Sequence, residues 1–268
     1  VDHLSAIMAV LDTERPDVIV NFAAQGEGSA SFGDNAPDFF MTNTVALVRL
    51  VLELQNRTYL KRFVQIGSSE VYGSPQHPAK ESDLLNPTSP YSASKAAFDL
   101  YLDSMWRTSK FQMNIIRPSN CYVEGQQLYR VIPKTIIAAM TKQKLPLHGG
   151  GRAMKSYMHA TDLSKAILMV IDSAPLGTTY NVGPDEPTAI RELVARVGAA
   201  CDVAFDDLVT EVPDRVGQDA KYHLDCSRIK ALGWSKTISL GDGIADMVKW
   251  VRRYPEILQM ETEYRHRR

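Results

Sequence analysis

Three short apolar runs set the architecture of the first half of the chain: residues 18–24 (VIVNFAA), 62–67 (RFVQIG) and 113–117 (MNIIR). Between them, residues 37–55 and 91–109 carry apolar positions at helical spacing. Apolar, β-branched runs separated by longer amphipathic segments are the pattern of βα units, whose strands lie parallel and are covered on both faces. The expected fold class is therefore α/β, a doubly wound Rossmann-type parallel sheet. After Asn120 the rhythm changes. Helices are expected at 131–142, 161–172, 188–201 and near 240–253, a strand at 178–182, and a turn at His148-Gly149-Gly150-Gly151. Pro175, Pro184, Pro187 and Pro213 divide these pieces, as a smaller and less regular α/β lobe requires.

With 268 residues, 44% of them hydrophobic, the chain can bury a full core. Thirty Lys and Arg stand against 31 Asp and Glu, so no global field favours nucleic acid or an anionic membrane, and neither is an expected partner. The basic end Arg265-His266-Arg267-Arg268 reads as a solvated tail. Cys121, Cys201 and Cys226 are odd in number, widely spaced and free of any C-x-x-C pairing, which speaks against disulfides or zinc and for a reducing cytoplasm. Six histidines lie scattered without ligand spacing, so no metal is expected. No run approaches the ~18 apolar residues of a membrane span, and the expected protein is soluble.

Two segments carry chemistry. In PYSASKAAFDLYLDSM, Tyr91, Lys95, Phe98, Leu102 and Met105 share one helical stripe, which places a phenol and an ammonium one turn apart at the end of an apolar face. An ammonium nearby would favour the phenolate and lower the Tyr pKa from about 10, as a general base for a sugar hydroxyl needs. By itself the pair also reads as a half-exposed Tyr and a snorkelling Lys. In KRFVQIGSSEVYGSP, Ser68, Ser69 and Glu70 follow the carboxyl end of a strand, where open α/β sheets place their ligands. Alone, this is equally an ordinary exit into a loop.

Taken together these segments resemble the extended short-chain dehydrogenase/reductase family, in its NAD-dependent nucleotide-sugar epimerase and dehydratase group, and most of all its 4,6-dehydratase branch. The likeness runs in order through NFAAQ, Thr42-Asn43, GSSEVYG, NPTSPYSASK, IIRPSNCY, RVIPK, LPLHGGGRAMKSYMHATD, YNVG and DRVGQD. It implies that Tyr91 removes the proton of the sugar C4 hydroxyl while hydride leaves C4 for NAD, with Lys95 lowering the phenol's pKa and holding the nicotinamide ribose. Ser68 would bond the C4 oxygen, and Glu70 would take the C5 proton as water leaves from C6. Hydride then returns to C6, so NAD is recycled. Ser69 stands where dehydratases of deoxythymidine-diphosphate glucose usually carry an Asp that protonates the leaving group. That departure looks more like the GDP-mannose dehydratase and UDP-glucuronate decarboxylase pattern, so either Glu70 handles both protons or the reaction differs. The implied contacts to NAD are Ala23, Ala24, Gln25, Asn43 and Pro118 beside Tyr91 and Lys95. Those to the nucleotide sugar are Ser69, Glu70, Asn120, Arg130, Lys155, Arg215 and Gln218. His159 and Asp162 of HATD are expected to order a loop and cap the next helix. The implied division is a Rossmann-type NAD-binding domain over 1–120 and a nucleotide-sugar lobe mainly over 121–268, with segments returning to the first domain.

The resemblance also implies an opening glycine-rich βα unit and a second one, about 60 residues at about 30 each, ahead of Val1. A longer protein is expected, and an intact mass near 29.8 kDa would contradict that. Gly26-x-Gly28 imitates the missing turn. It lacks a third glycine at Ser31 and matches the family's later strand end, so residues 25–31 are expected to border the sugar. Glu27 departs from the family pattern there. A homodimer built through residues 37–55 and 91–109 is a further implication. Decarboxylation or C4 epimerisation of a related nucleotide sugar, and a non-catalytic scaffold that kept the fold, remain as alternatives.

Overall fold

The structure is a computed structural model that describes residues 3–214 and 221–266. Helix α1 (Leu4–Glu14) leads into strand β1 (Val18–Asn21), helices α2 (Ala36–Phe40) and α3 (Ala46–Leu54), and strand β2 (Arg62–Ile66). Helix α4 (Pro90–Ser109) then precedes β3 (Met113–Pro118), β4 (Asn120–Tyr122), α5 (Val131–Thr141), β5 (Leu145–His148), β6 (Met154–Lys155) and β7 (Tyr157–His159). The chain continues through α6 (Ala160–Ser173), β8 (Thr179–Val182), β9 (Thr188–Ala189), α7 (Ile190–Ala200) and β10 (Val209–Val212) to a helix at Leu240–Arg253.

The main sheet has the order β1-β2-β3-β8 and is parallel throughout. Neighbouring residues on its strands serve opposite layers. Phe63, Met113 and Ile115 pack with Leu47, Val51, Phe98 and Leu102 of α3 and α4, whereas Val64, Ile116 and Tyr180 pack with Ala166 and Val170 of α6. Burial on both faces is why these strands read as unbroken apolar runs. Each fully buried Leu, Ile or Phe of this kind contributes about 1.5–3 kcal/mol. Because all four strands run the same way, their carboxyl ends meet at one edge, and the polar residues of the site follow β1, β2 and β3 there.

The second half builds a smaller core from Ile132 and Ile136 of α5, Leu193 and Val197 of α7, and Ile244 and Met247 of the last long helix. Three two-stranded ladders, β4 with β7, β5 with β10 and β6 with β9, stitch this lobe together. Their strands are two to four residues long, too short to leave a period in the sequence. His159 caps α6 by accepting from Thr161 N at 3.3 Å, and Asp162 accepts from Thr237 N and Ile238 N.

Two expectations need correction. The helix expected over 37–55 is interrupted by a π turn, Met41–Val45, between α2 and α3. The C-terminal segment is not a solvated tail as far as His266: its Nε2 lies 2.8 Å from Asp38 Oδ2, and its ring stacks on Phe39 at 5.8 Å between centroids. An aromatic face and a carboxylate from α2 give the imidazole a better environment than water does.

Candidate active site

Helix α4 begins where the sequence says it should. Ser89 accepts from Ser92 N while Ser92 returns a bond to Ser89 N, and Pro90 fills the first turn, where no amide donor is missed. Tyr91 N is held in turn by Ser31 Oγ at 3.1 Å. Phe98 and Leu102 anchor the stripe in the core, so the helix's first two turns carry Tyr91 and Lys95 to the carboxyl edge of the sheet. Lys95 is 3% exposed and donates through Nζ to Ile66 O at 2.7 Å.

Strand β2 ends at Ile66, and Ser68 turns the chain by accepting from Glu70 N at 3.1 Å. Ser68 and Ser69 are buried. Gly28 fits closely here: a Cβ on it would stand 3.3 Å from Glu70 Oε2. Tyr91, Ser68, Glu70, Arg130 and Lys155 all line one cavity of about 610 Å³ between the sheet edge and the second lobe. Pro118, Ser69 and Asn120 line it too. Asn120 Oδ1 is buried in its wall without a hydrogen-bond partner, the state of an acceptor that a ligand donor would satisfy.

Tyr91 corrects one expectation. Burial, and next the Glu70 carboxylate, push its phenol up to about 12, while a hydrogen bond with Ser68 pulls the other way. Lys95 is not among the main influences on it. Burial also lowers the Lys95 ammonium to about 8, so the pair is poised by desolvation more than by mutual attraction.

The π turn explains Asn43. Widening the helix there turns the side chain, wholly buried, so that Oδ1 accepts from Gln25 N at 2.7 Å and Nδ2 donates to Gln25 O at 3.0 Å. Nδ2 also donates to Ser94 Oγ of α4 at 3.0 Å. Asn43 therefore clamps the loop after β1 to the helix that carries Tyr91. Helical widening of this kind recurs at functional sites. Gln25 Nε2 donates onward to Tyr264 Oη at 2.9 Å, which brings the C-terminal segment against the same loop. Ala23 and Ala24, just beyond β1, are small and exposed.

Glu27 answers to Arg130. Its Oε2 lies 3.3 Å from Arg130 Nη1, and Ser29 Oγ donates to its other oxygen at 2.7 Å. Arg130 also donates to Gly26 O and lies 5.1 Å from the ring centre of Tyr129. Lys155 Nζ sits 5.1 Å from the ring centre of Tyr222. Arg215 and Gln218 lie outside the described residues. Tyr129 and Tyr157, which the sequence left unmarked, also line the cavity. Among the described residues no group of three or more His, Cys, Asp or Glu could hold a metal ion. No helix among them is long and apolar enough to cross a membrane.

An open parallel sheet edge, a buried Lys one helical turn from a half-buried Tyr, and small residues after β1 fit a nicotinamide cofactor at the strand ends. The comparisons agree. Residues 1–183 match the NAD dependent epimerase/dehydratase family, and the chain belongs to it. It is similar to a dTDP-glucose 4,6-dehydratase of Streptomyces niveus, 34% identical over 238 residues, spanning 88% of this chain and 70% of that one. It is also 30% identical over 252 residues to an Arabidopsis thaliana trifunctional protein whose first named activity is UDP-glucose 4,6-dehydratase. That match covers 92% of this chain and only 37% of the plant protein. The crystal structure of a dTDP-glucose 4,6-dehydratase from Streptomyces venezuelae with NAD bound superposes with a TM-score of 0.87 at 30% identity, over 92% of this chain and 77% of that one.

Proposed function

We infer that the chain catalyses the 4,6-dehydration of a nucleotide-diphosphate hexose, giving the 4-keto-6-deoxy sugar, as a lyase. The observation that carries this is the convergence of Tyr91, Ser68 and Glu70 in one cavity, with Glu70 close enough to raise the Tyr91 phenol. Bound NAD supplies a two-electron acceptor that is regenerated within each turnover. Ala23, Ala24, Gln25, Asn43, Pro118 and Lys95 would hold it, Lys95 through donors left over from its bond to Ile66 O.

The protein's own part is proton handling and placement. Tyr91 takes the proton of the C4 hydroxyl, and Ser68 fixes the oxygen from which it comes. Once C4 is a ketone its neighbour C5 is acidic, and Glu70 takes that proton. Ser69 offers no acid, so Glu70 returns the proton to the C6 hydroxyl as it departs. Arg130, Lys155 and Asn120 face the diphosphate and sugar, with Arg215 and Gln218 as the expected completion of the clamp. The substrate is a soluble metabolite and the expected setting is the cytoplasm. A homodimer through α3 and α4 fits the large apolar side chains those helices leave exposed, Leu52 and Leu100.

Ser69, buried at 4% exposure where an Asp would be expected, supports a second reading in which a C6 carboxylate is lost instead of water. Incubation with a panel of nucleotide-diphosphate hexoses and uronates plus NAD, read by mass spectrometry, separates them. Loss of water is expected, and Glu70→Gln should abolish it while leaving C4 oxidation detectable as NADH absorbance. Loss of CO2, a product with its C6 hydroxyl intact, or full dehydration by Glu70→Gln overturns the reading.

A further inference from the structure

Asp99 stands one turn beyond Lys95 and two beyond Tyr91 on α4, so the three share a face. It is 1% exposed. One carboxylate oxygen, Oδ2, accepts from Arg117 Nε at 2.8 Å. The other, Oδ1, is buried without a hydrogen-bond partner, although the amide donors and hydroxyls of a folded interior normally find such an atom. Its position is marked by Gly67, where an added Cβ would stand 3.3 Å from Oδ1. Lys95 Nζ meets the adjacent residue, Ile66, at its carbonyl. Carboxylate and ammonium thus converge on one corner of backbone at the end of β2.

We propose that Asp99 is a positioning residue of this site, its buried carboxylate favouring the charged form of the Lys95 ammonium from one helical turn away, without a direct ion pair. The role of Lys95 rests on the dehydratase reading; the juxtaposition does not. Burial depresses the Lys95 ammonium, and Asp99 acts against that depression. Arg117 of β3 is engaged with Asp99 Oδ2 and Tyr72 Oη. Glu81, Asp103 and Arg228 line a cleft that Asp99 and Arg117 also line, and Glu70, Glu27 and Arg130 act on Tyr91. Without Asp99, Lys95 would lose its proton at a lower pH and leave the cofactor ribose without a cation.

The experiment follows the Lys95 signal by NMR in protein carrying 13Cε-labelled lysine, assigned through Lys95→Arg, across a pH titration. The parent should titrate near pH 8. Asp99→Asn should lower that midpoint by about one pH unit. The double variant Asp99→Asn/Arg117→Gln, which leaves no buried guanidinium unpaired, should do the same. Asp99→Glu should restore it, and the alkaline limb of the kcat profile should move with the midpoint in each variant. An unchanged Lys95 midpoint in the folded double variant overturns the proposal. The titration needs no turnover, so a protein that proved inactive on every nucleotide sugar would refute the dehydratase reading and still decide the role of Asp99.

Discussion

Glu27 sits on the guanidinium that a diphosphate would need. Its pairing with Arg130 at 3.3 Å involves side chains 15% and 38% exposed, so the interaction is screened and modest. In the proposed reading, a substrate diphosphate would offer Arg130 two parallel bonds in place of one long one to the carboxylate, and would first have to displace it. Glu27→Gln should therefore lower KM for the nucleotide sugar by about two- to fivefold with kcat little changed, the worth of a partly exposed ion pair. Steady-state kinetics will tell; a higher KM would mean that Glu27 touches the sugar itself. Glu27 stood out in the sequence as a departure from the family pattern, but its partner lies 103 residues away and no local pattern connects them. Asp99 was closer to legible, since it follows Lys95 at helical spacing. What the spacing could not show was a buried, unpartnered oxygen.

Among the elements, α4 was the most readable. The stripe from Tyr91 to Met105 announces its buried face, and the structure places Phe98 and Leu102 of that stripe in the core. The helix before it was readable only in outline. Its π turn follows from tertiary demands on Asn43, which must reach Gln25 and Ser94 at once, and helix propensity carries no sign of that. Leu100, 58% exposed on α4, and Leu52, 47% exposed on α3, are large apolar groups on the two helices expected to meet a second copy. Light scattering on the purified protein should give twice the chain mass, and Leu52→Lys/Leu100→Lys should give the monomer. A monomeric parent would remove the dimer from the proposal.

Across the whole molecule, buried phenols and thiols set the alkaline limit. Burial pushes Tyr91, Tyr122, Cys121 and Cys226 up to about 12 each. Their folded forms keep protons that the unfolded chain releases from about pH 9 for thiols and pH 10 for phenols. The stability they contribute is thus complete below that range and lost as pH rises through about 12. Lys95, lowered to about 8, runs the other way: the cost of burying its charge is relieved between about pH 8 and its unfolded value. The raised phenols and thiols outnumber the one lowered Lys, so the urea midpoint should hold between pH 8 and 9 and fall steeply above pH 10. Equilibrium unfolding followed by circular dichroism checks this, and a midpoint that rose through pH 11 would contradict it.

The order of the four main strands and of the long helices between them, and the double burial of the sheet, were determined by the sequence alone, because periodicity is local; Tyr91, Lys95, Ser68 and Glu70 were marked as candidates by the ordered series of family motifs. The direction of the Tyr91 shift, the Glu27–Arg130 pair, the clamp of Asn43 on Gln25, the docking of His266 and the orphaned oxygen of Asp99 were decided only by the tertiary structure. Each depends on how deeply a group is buried or on which distant residue meets it, and desolvation and long-range contact leave no period in a chain.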